Sequence, residues 1–224
     1  MQYTFQFGQI TRYLPDLLAG ALISLEIAFV CFWGALLIGL LGAMALHFGG
    51  VWTRRVARAY VACFTNTPGL VQIYFIYFAL PEFGILFSSL QAVIIGITLN
   101  AGGYLTLILK SGFLSVHRNE LDAAEVMGMS RLQLVRYIIV PHIARVLFPP
   151  ISNKFILMVL GTAVAGVFGV EDLMGRTINA NAESFRAIEL LSVTACLYVA
   201  MTILATLVLA AVSLLCFGRR RSSI

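Results

Sequence analysis

The sequence predicts an all-α membrane protein of about five transmembrane helices. Of its 224 residues, 60% are hydrophobic and 11% charged, and the mean hydropathy is +0.95. That leaves too little polar surface to clothe a soluble globule of this size. The apolar runs are about 20 residues or longer, whereas a membrane barrel reads as alternating stretches of roughly 10. Helices follow, because hydrocarbon satisfies no open backbone groups.

The opening stretch MQYTFQFGQITRYLPDLL is polar and aromatic and lacks a short apolar core with a cleavage site, so the first span is expected to be retained. Spans are expected at roughly 19–46, 57–80, 87–113, 146–170 and 188–217, in a single domain covering 1–224. Cations orient them. Arg54, Arg55 and Arg58 flank the first loop, Arg118, Arg131, Arg136 and Arg145 fill the third, and Arg219, Arg220 and Arg221 close the tail; the other side holds Arg12, Arg176 and Arg186. The positive-inside bias places the N-terminus outside and the C-terminus in the cytoplasm. The net charge of +5 is then matched by anionic lipid and requires no nucleic-acid partner. Cys31, Cys63, Cys196 and Cys216 lie in apolar runs without ligand or disulfide spacing and read as small buried hydrophobes.

Intramembrane polar groups mark either a solute passage or hydrogen bonds between helices. Thr67 and Pro68 interrupt the start of the second span, and Gln72 follows on the same face; Asn100 and Tyr104 lie one turn apart in the third, and Thr162 follows Gly161 in the fourth. Lys154 reads as snorkelling to the headgroups, or else as attracting a carboxylate. Gly34, Gly39 and Gly42 in the first span, with Gly161, Gly166 and Gly169 in the fourth, suit close helix crossing. The charged stretch from Gly169 to Arg186 reads as an outer loop that Gly175 can bend.

The longest cytoplasmic loop, about 115–141, contains ELDAAEVMGMSRLQLVRYIIVP. Asn119 is expected to cap a first helix, Ser130 with Gln133 forms a capping box for a second, and Gly128 falls in the bend between them. Ala123 and Ala124 leave the first helix thin enough for another protein to approach. Pro141 is expected to end the second helix.

The spacing Asp122-Ala123-Ala124, three residues, Gly128, nine residues, Ile138, one residue, Val140-Pro141 closely resembles the EAA loop of permease subunits of ATP-binding-cassette importers, with Asp122 for glutamate and Val140 for leucine. The likeness extends to their polar amino-acid branch through FTNTPGLVQIYFIYFALPEFGI, TLNAGGY, and Phe185, Arg186 and Glu189. It implies a five-helix core in a bacterial cytoplasmic (inner) membrane. It also implies a second permease subunit, paralogous or identical, two ATP-binding subunits, an extracytoplasmic solute-binding protein and surrounding lipid. In this resemblance Asp122, Ala123, Ala124, Gly128, Ile138 and Pro141 couple to the ATPase, and ATP and Mg are bound there, with no cofactor in this chain. Thr67, Pro68, Gln72, Asn100, Tyr104 and Thr162 are the candidate solute path, with no metal site. Where many relatives have Arg, Glu and K-D-T-S, this chain has Thr65-Asn66, Leu107 and Leu160-Gly161-Thr162-Ala163, so their substrate contacts do not transfer; a less polar half of a heterodimer would fit. A permease for an opine, sulfur-containing amino acid or related amine, and a non-transporting scaffold, are the alternatives. No H-E-x-x-H, C-x-x-C, G-x-S-x-G or P-loop is present, so the chain is not expected to be an enzyme.

Overall fold

The computed structural model describes residues 5–218. Arg219, Arg220 and Arg221 lie outside them. Helix α1 (Leu14–Phe48) runs 35 residues, about 50 Å at 1.5 Å per residue. A Gly49-Gly50 corner leads to α2 (Val51–Thr65), and α3 (Gly69–Tyr74) continues through a π-helical turn at Phe75–Ala79 into a 3-10 turn at Leu80–Phe83. Next come α4 (Ser89–Leu114), α5 (Arg118–Val126) and α6 (Arg131–Leu134). A second π turn at Val135–Ile139 feeds α7 (Val140–Gly161), which tightens into a 3-10 segment at Thr162–Phe168; α8 (Leu173–Ser184) and α9 (Ala187–Phe217) complete the chain. Among the described residues there is no strand.

Four helices are long and apolar enough to cross a membrane: Phe7–Phe48, Ser89–Leu114, Arg131–Phe168 and Ala187–Phe217. Contacts between helices fix their directions. Cys31 Sγ donates to Ile94 O at 3.6 Å, Gly34 faces Thr98, Gly39 faces Leu105 and Gly42 faces Thr106. Both residue numbers rise together, so α1 and α4 run parallel, and the chain must return between them. That return is α2 with α3. The single second span expected from hydropathy is therefore corrected to a discontinuous one, in which α2 carries arginines at one end and only Gly69–Phe83 is an apolar helix. Against α4, α7 runs the opposite way, with Leu147 at Gly112 and Lys154 at Tyr104. The rings of Phe148 and Phe217 meet at 5.4 Å, which turns α9 antiparallel to α7.

Two further expectations are corrected. Pro141 does not stop a helix: Arg131–Phe168 is one helical run. The π turn at Val135–Ile139 immediately precedes it, as the one at Phe75–Ala79 precedes Pro81. A widened turn accommodates a ring that would clash with the carbonyl four residues back and a position that offers no N–H. The stretch after Gly169 is not a bent loop but α8, capped by Asp172, whose Oδ1 accepts from the Gly175 N–H at 3.0 Å. Gly175 sits in the first turn against Val170 O, where a side chain has no room. Ser24 on α1 donates to Asp172 Oδ2 at 3.1 Å and accepts from the Leu173 N–H at 3.2 Å. Asp172 is fully buried, and burial pushes its carboxyl up from the ordinary range. The N-terminal segment is held at this same end, where the Gln6 N–H donates to Glu189 Oε1 at 3.0 Å.

Helices this close depend on missing side chains. A Cβ on Gly39 would lie 2.7 Å from Leu105 Cβ and 3.0 Å from its backbone carbon, whereas one on Gly161 would meet nothing within 4 Å. Overpacking costs about 1–3 kcal/mol. Thermal unfolding of the purified protein in detergent is therefore expected to show a lowered Tm for Gly39→Ala and an almost unchanged one for Gly161→Ala; equal losses would contradict the α1/α4 register.

Candidate functional site

The break between α2 and α3 lies against α4, with Phe64, Thr65 and Thr67 half-buried and Asn66 exposed. A helix end leaves its last four carbonyls without intrahelical donors, and in hydrocarbon each orphan costs several kcal/mol. Here every one is met. Ala62 O accepts from Asn66 Nδ2 at 2.8 Å and Cys63 O from the Thr67 hydroxyl at 2.8 Å. Phe64 O accepts from Gln72 Nε2 at 3.0 Å and Asn100 Nδ2 at 2.9 Å, and Thr65 O from the Tyr104 hydroxyl at 3.1 Å. Gln72 Nε2 also reaches Thr67 O at 3.0 Å. The Tyr60 hydroxyl donates to Leu99 O at 2.7 Å and ties α2 to α4.

Thr67, Gln72, Asn100 and Tyr104 thus converge on one hydrogen-bonded junction. Pro68 stands exposed at the N-cap position of α3. Thr162 lies apart, fully buried, with its hydroxyl on Val159 O at 2.8 Å. Beside the junction opens a cleft of about 240 Å³ between α3, α4 and α7, lined by Gly69, Leu70, Asn100, Lys154, Leu157 and Gly161 among others. The Lys154 Nζ rests 4.3 Å from the centroid of the Tyr104 ring, an attraction of roughly 0.5–2 kcal/mol. Among the described residues no carboxylate lies within ion-pair distance of it.

The second region is the hairpin of α5 and α6. The Met129 N–H bonds Ala124 O at 3.1 Å and the Gly128 N–H bonds Glu125 O at 2.9 Å, with Gly128 at φ +71°. This pair of bonds closes a Schellman motif, which requires a left-handed residue at the bend. Ser130 and Gln133 then form the expected capping box, at 3.3 and 2.8 Å. Asn119 is not the cap of α5. The extended residue at that position is His117, which leaves Asn119 inside the first turn. Asp122, Ala123 and Gly128 are exposed, while Ala124 is buried inside the bend. Ile138 sits half-buried in the π turn and Pro141 half-buried in the first turn of α7.

The hairpin's surface is oily where its sequence is polar. Val126 is 89% exposed, Met127 65% and Leu132 76%. Its root is tied to the bundle by His142, whose Nε2 lies 3.1 Å from Ser115 O and whose Nδ1 lies 3.5 Å from Glu120 Oε2. This strut's one signal in the sequence is a histidine directly after Pro141. The hairpin occupies the same end of the bundle as the α1–α2 corner, where His47 stacks on Phe113 at 5.3 Å.

A discontinuous crossing beside a cleft, and a closed hairpin on a continuous helical stalk, are features that suit a membrane transport component. The family described as binding-protein-dependent transport system inner membrane component matches residues 34–218, and the chain belongs to it. ATP hydrolysis in such systems is carried by a separate ATPase subunit, and the chain itself is not an enzyme. It is 33% identical over 210 residues to the glutamine transport system permease protein of Escherichia coli strain K12, covering 92% of this chain and 94% of that one. An octopine transport system permease protein of Rhizobium meliloti is 30% identical over 220 residues, 92% of this chain and 88% of its own. The crystal structure of an amino acid ABC transporter with histidines superposes with a TM-score of 0.87 at 27% identity, over 97% of this chain and all of that one.

The junction's side chains hold the broken span together. Gln72→Leu leaves Thr67 O with no side-chain donor and Phe64 O with one fewer, and a buried orphan costs about 1–3 kcal/mol. Faster proteolysis between α2 and α3 in membranes and a lowered Tm are expected; an unchanged Tm would show that the junction does not depend on this amide.

Proposed function

We propose that the chain is the permease subunit of an importer for a polar amino acid, which moves its solute past the α3–α4–α7 cleft by alternating access. The N-terminus faces outside and the hairpin faces the cytoplasm. Two ATP-binding subunits, a second permease and an extracytoplasmic solute-binding protein complete the transporter. The observation that carries this reading is the hairpin: three large apolar side chains exposed on a segment whose fold is locked by its own caps. A surface kept rigid and oily fits a partner's cleft. Closure of the ATPases on ATP would push the hairpin, and the helical run Arg131–Phe168 would carry the displacement to the cleft.

The cleft suits a zwitterion with a free carboxylate. Lys154 offers an unpaired cation, Asn100 lines the same space and no acidic side chain opposes them. An octopine-type solute also carries carboxylates, and the similarity to an octopine permease keeps opines as the second reading.

Both sites are testable in vesicles holding the complete transporter. Gly128→Val puts a β-branched residue in the left-handed region, at a cost of about 1–2 kcal/mol or more. Solute-stimulated ATP hydrolysis is expected to lose its link to uptake, or the ATPase to dissociate; full uptake would contradict the lever. Lys154→Met removes a charge-assisted contact of about 1.5–3 kcal/mol, so the KM for the solute is expected to rise at least tenfold with the ATPase still assembled. An unchanged KM would take Lys154 out of the path.

A further inference from the structure

The end of α1 and the start of α2 diverge from the Gly49-Gly50 corner and leave a groove of about 590 Å³ between them. Ile38, Leu41 and Ala45 form one wall, and Trp52, Val56 and Tyr60 form the other. Trp52 is 76% exposed. Arg54, Arg55 and Arg58 stand on the same helix as the second wall and are all exposed. The Arg54 Nη2 donates to His47 O at 3.1 Å, which fixes this cation across the corner at the C-terminal end of α1. The guanidinium of Arg55 lies 5.2 Å over the ring of Trp52, so a second cation is held at the groove's wall.

These charges lack a counterpart in the chain. No Asp or Glu occurs between Glu26 and Glu82, and among the described residues none of the three arginines forms an ion pair. The groove itself is apolar, and its location next to Phe113 puts it at the hairpin's end of the bundle. An occupant that complements both features carries a long apolar chain and an anionic head. Basic pockets between spanning helices take anionic headgroups on this physical basis, and an exposed Trp is at home at the headgroup level.

We propose that the α1–α2 groove is a binding site for an anionic phospholipid. One acyl chain lies between Leu41 and Val56, and the phosphate is held by Arg54 and Arg55, the two cations fixed at the corner and at the groove's wall. The lipid braces the corner that packs on Phe113 through His47 and Phe48, and so stiffens the end from which the hairpin projects.

The test uses the complete transporter in nanodiscs of phosphatidylcholine, with and without phosphatidylglycerol. Each cation near an anionic headgroup contributes roughly a fivefold gain in affinity. The variant Arg54→Gln, Arg55→Gln is therefore expected to bind phosphatidylglycerol about 25-fold more weakly and to lose the Tm rise that this lipid gives the unaltered protein. Ala45→Phe, which fills the groove and keeps the arginines, is expected to lose the same rise. Should the double variant fail to assemble, Ala45→Phe and native mass spectrometry of the unaltered transporter decide, the latter by showing phosphatidylglycerol retained in preference to phosphatidylcholine. An equal Tm rise in the variants overturns the proposal. So does the same rise from inorganic phosphate in phosphatidylcholine discs, which would make the groove irrelevant. A photoreactive residue at position 56 that captures a protein subunit instead of lipid overturns it as well.

Discussion

A chain that breaks a helix inside a bilayer must find a donor for every carbonyl it exposes, and the rest of this architecture follows from how that constraint is met at Asn66-Thr67-Pro68. The donors from beyond the broken segment 51–74 are Asn100 and Tyr104 on α4. They can reach the break only because α4 lies against it, and α4 is drawn close by Gly34, Gly39 and Gly42 on α1. Glycines, parallel packing and amide donors form one dependency. Beside the repaired break the backbone bends away, and the α3–α4–α7 cleft opens, lined by both Lys154 and Asn100.

The hairpin answers a different need. Its fold is closed by local bonds, the Schellman pair at Gly128 and the capping box at Ser130, so its shape does not wait for a partner. Its exposed Val126, Met127 and Leu132 are left for one. Two connections lead from it into the bundle: the covalent helical run from Arg131 and the His142 contacts to Ser115 and Glu120. On the proposed reading, a push on the surface would be delivered to α7, which carries Lys154. Rigid ends and a stiff stalk suit a lever, whereas a membrane-surface hairpin at rest would bury its oily side chains against the spans.

Much of this was legible in the sequence. Hydropathy located the spans because burial in lipid demands a long apolar run, and the hairpin was readable from local cap chemistry at Gly128 and Ser130. Helix α8 was missed because its charged residues resemble a loop; Asp172, three residues before Gly175, was the available cap signal. Pro141 was misjudged because a proline's cost depends on the turn before it, and a π turn has no signature in composition. Asn119 was taken for a cap by residue type, although His117 holds the extended backbone. The contact of Lys154 with Tyr104 was not legible, since a ring one helix away is a long-range fact. The candidate path residues were named one by one, yet the convergence of Gln72, Asn100 and Tyr104 on the carbonyls of Phe64, Thr65 and Thr67 needed the α1/α4 register.

The central claim is that the hairpin transmits force from a separate ATPase. The most direct measurement places a photoreactive residue at Val126 in the assembled transporter in membranes and identifies what it captures. Capture of the ATP-binding subunit, changing in yield between the nucleotide-free and ATP-bound states, is the predicted result. Capture of lipid or of this chain's own spans alone, insensitive to nucleotide, would contradict the account.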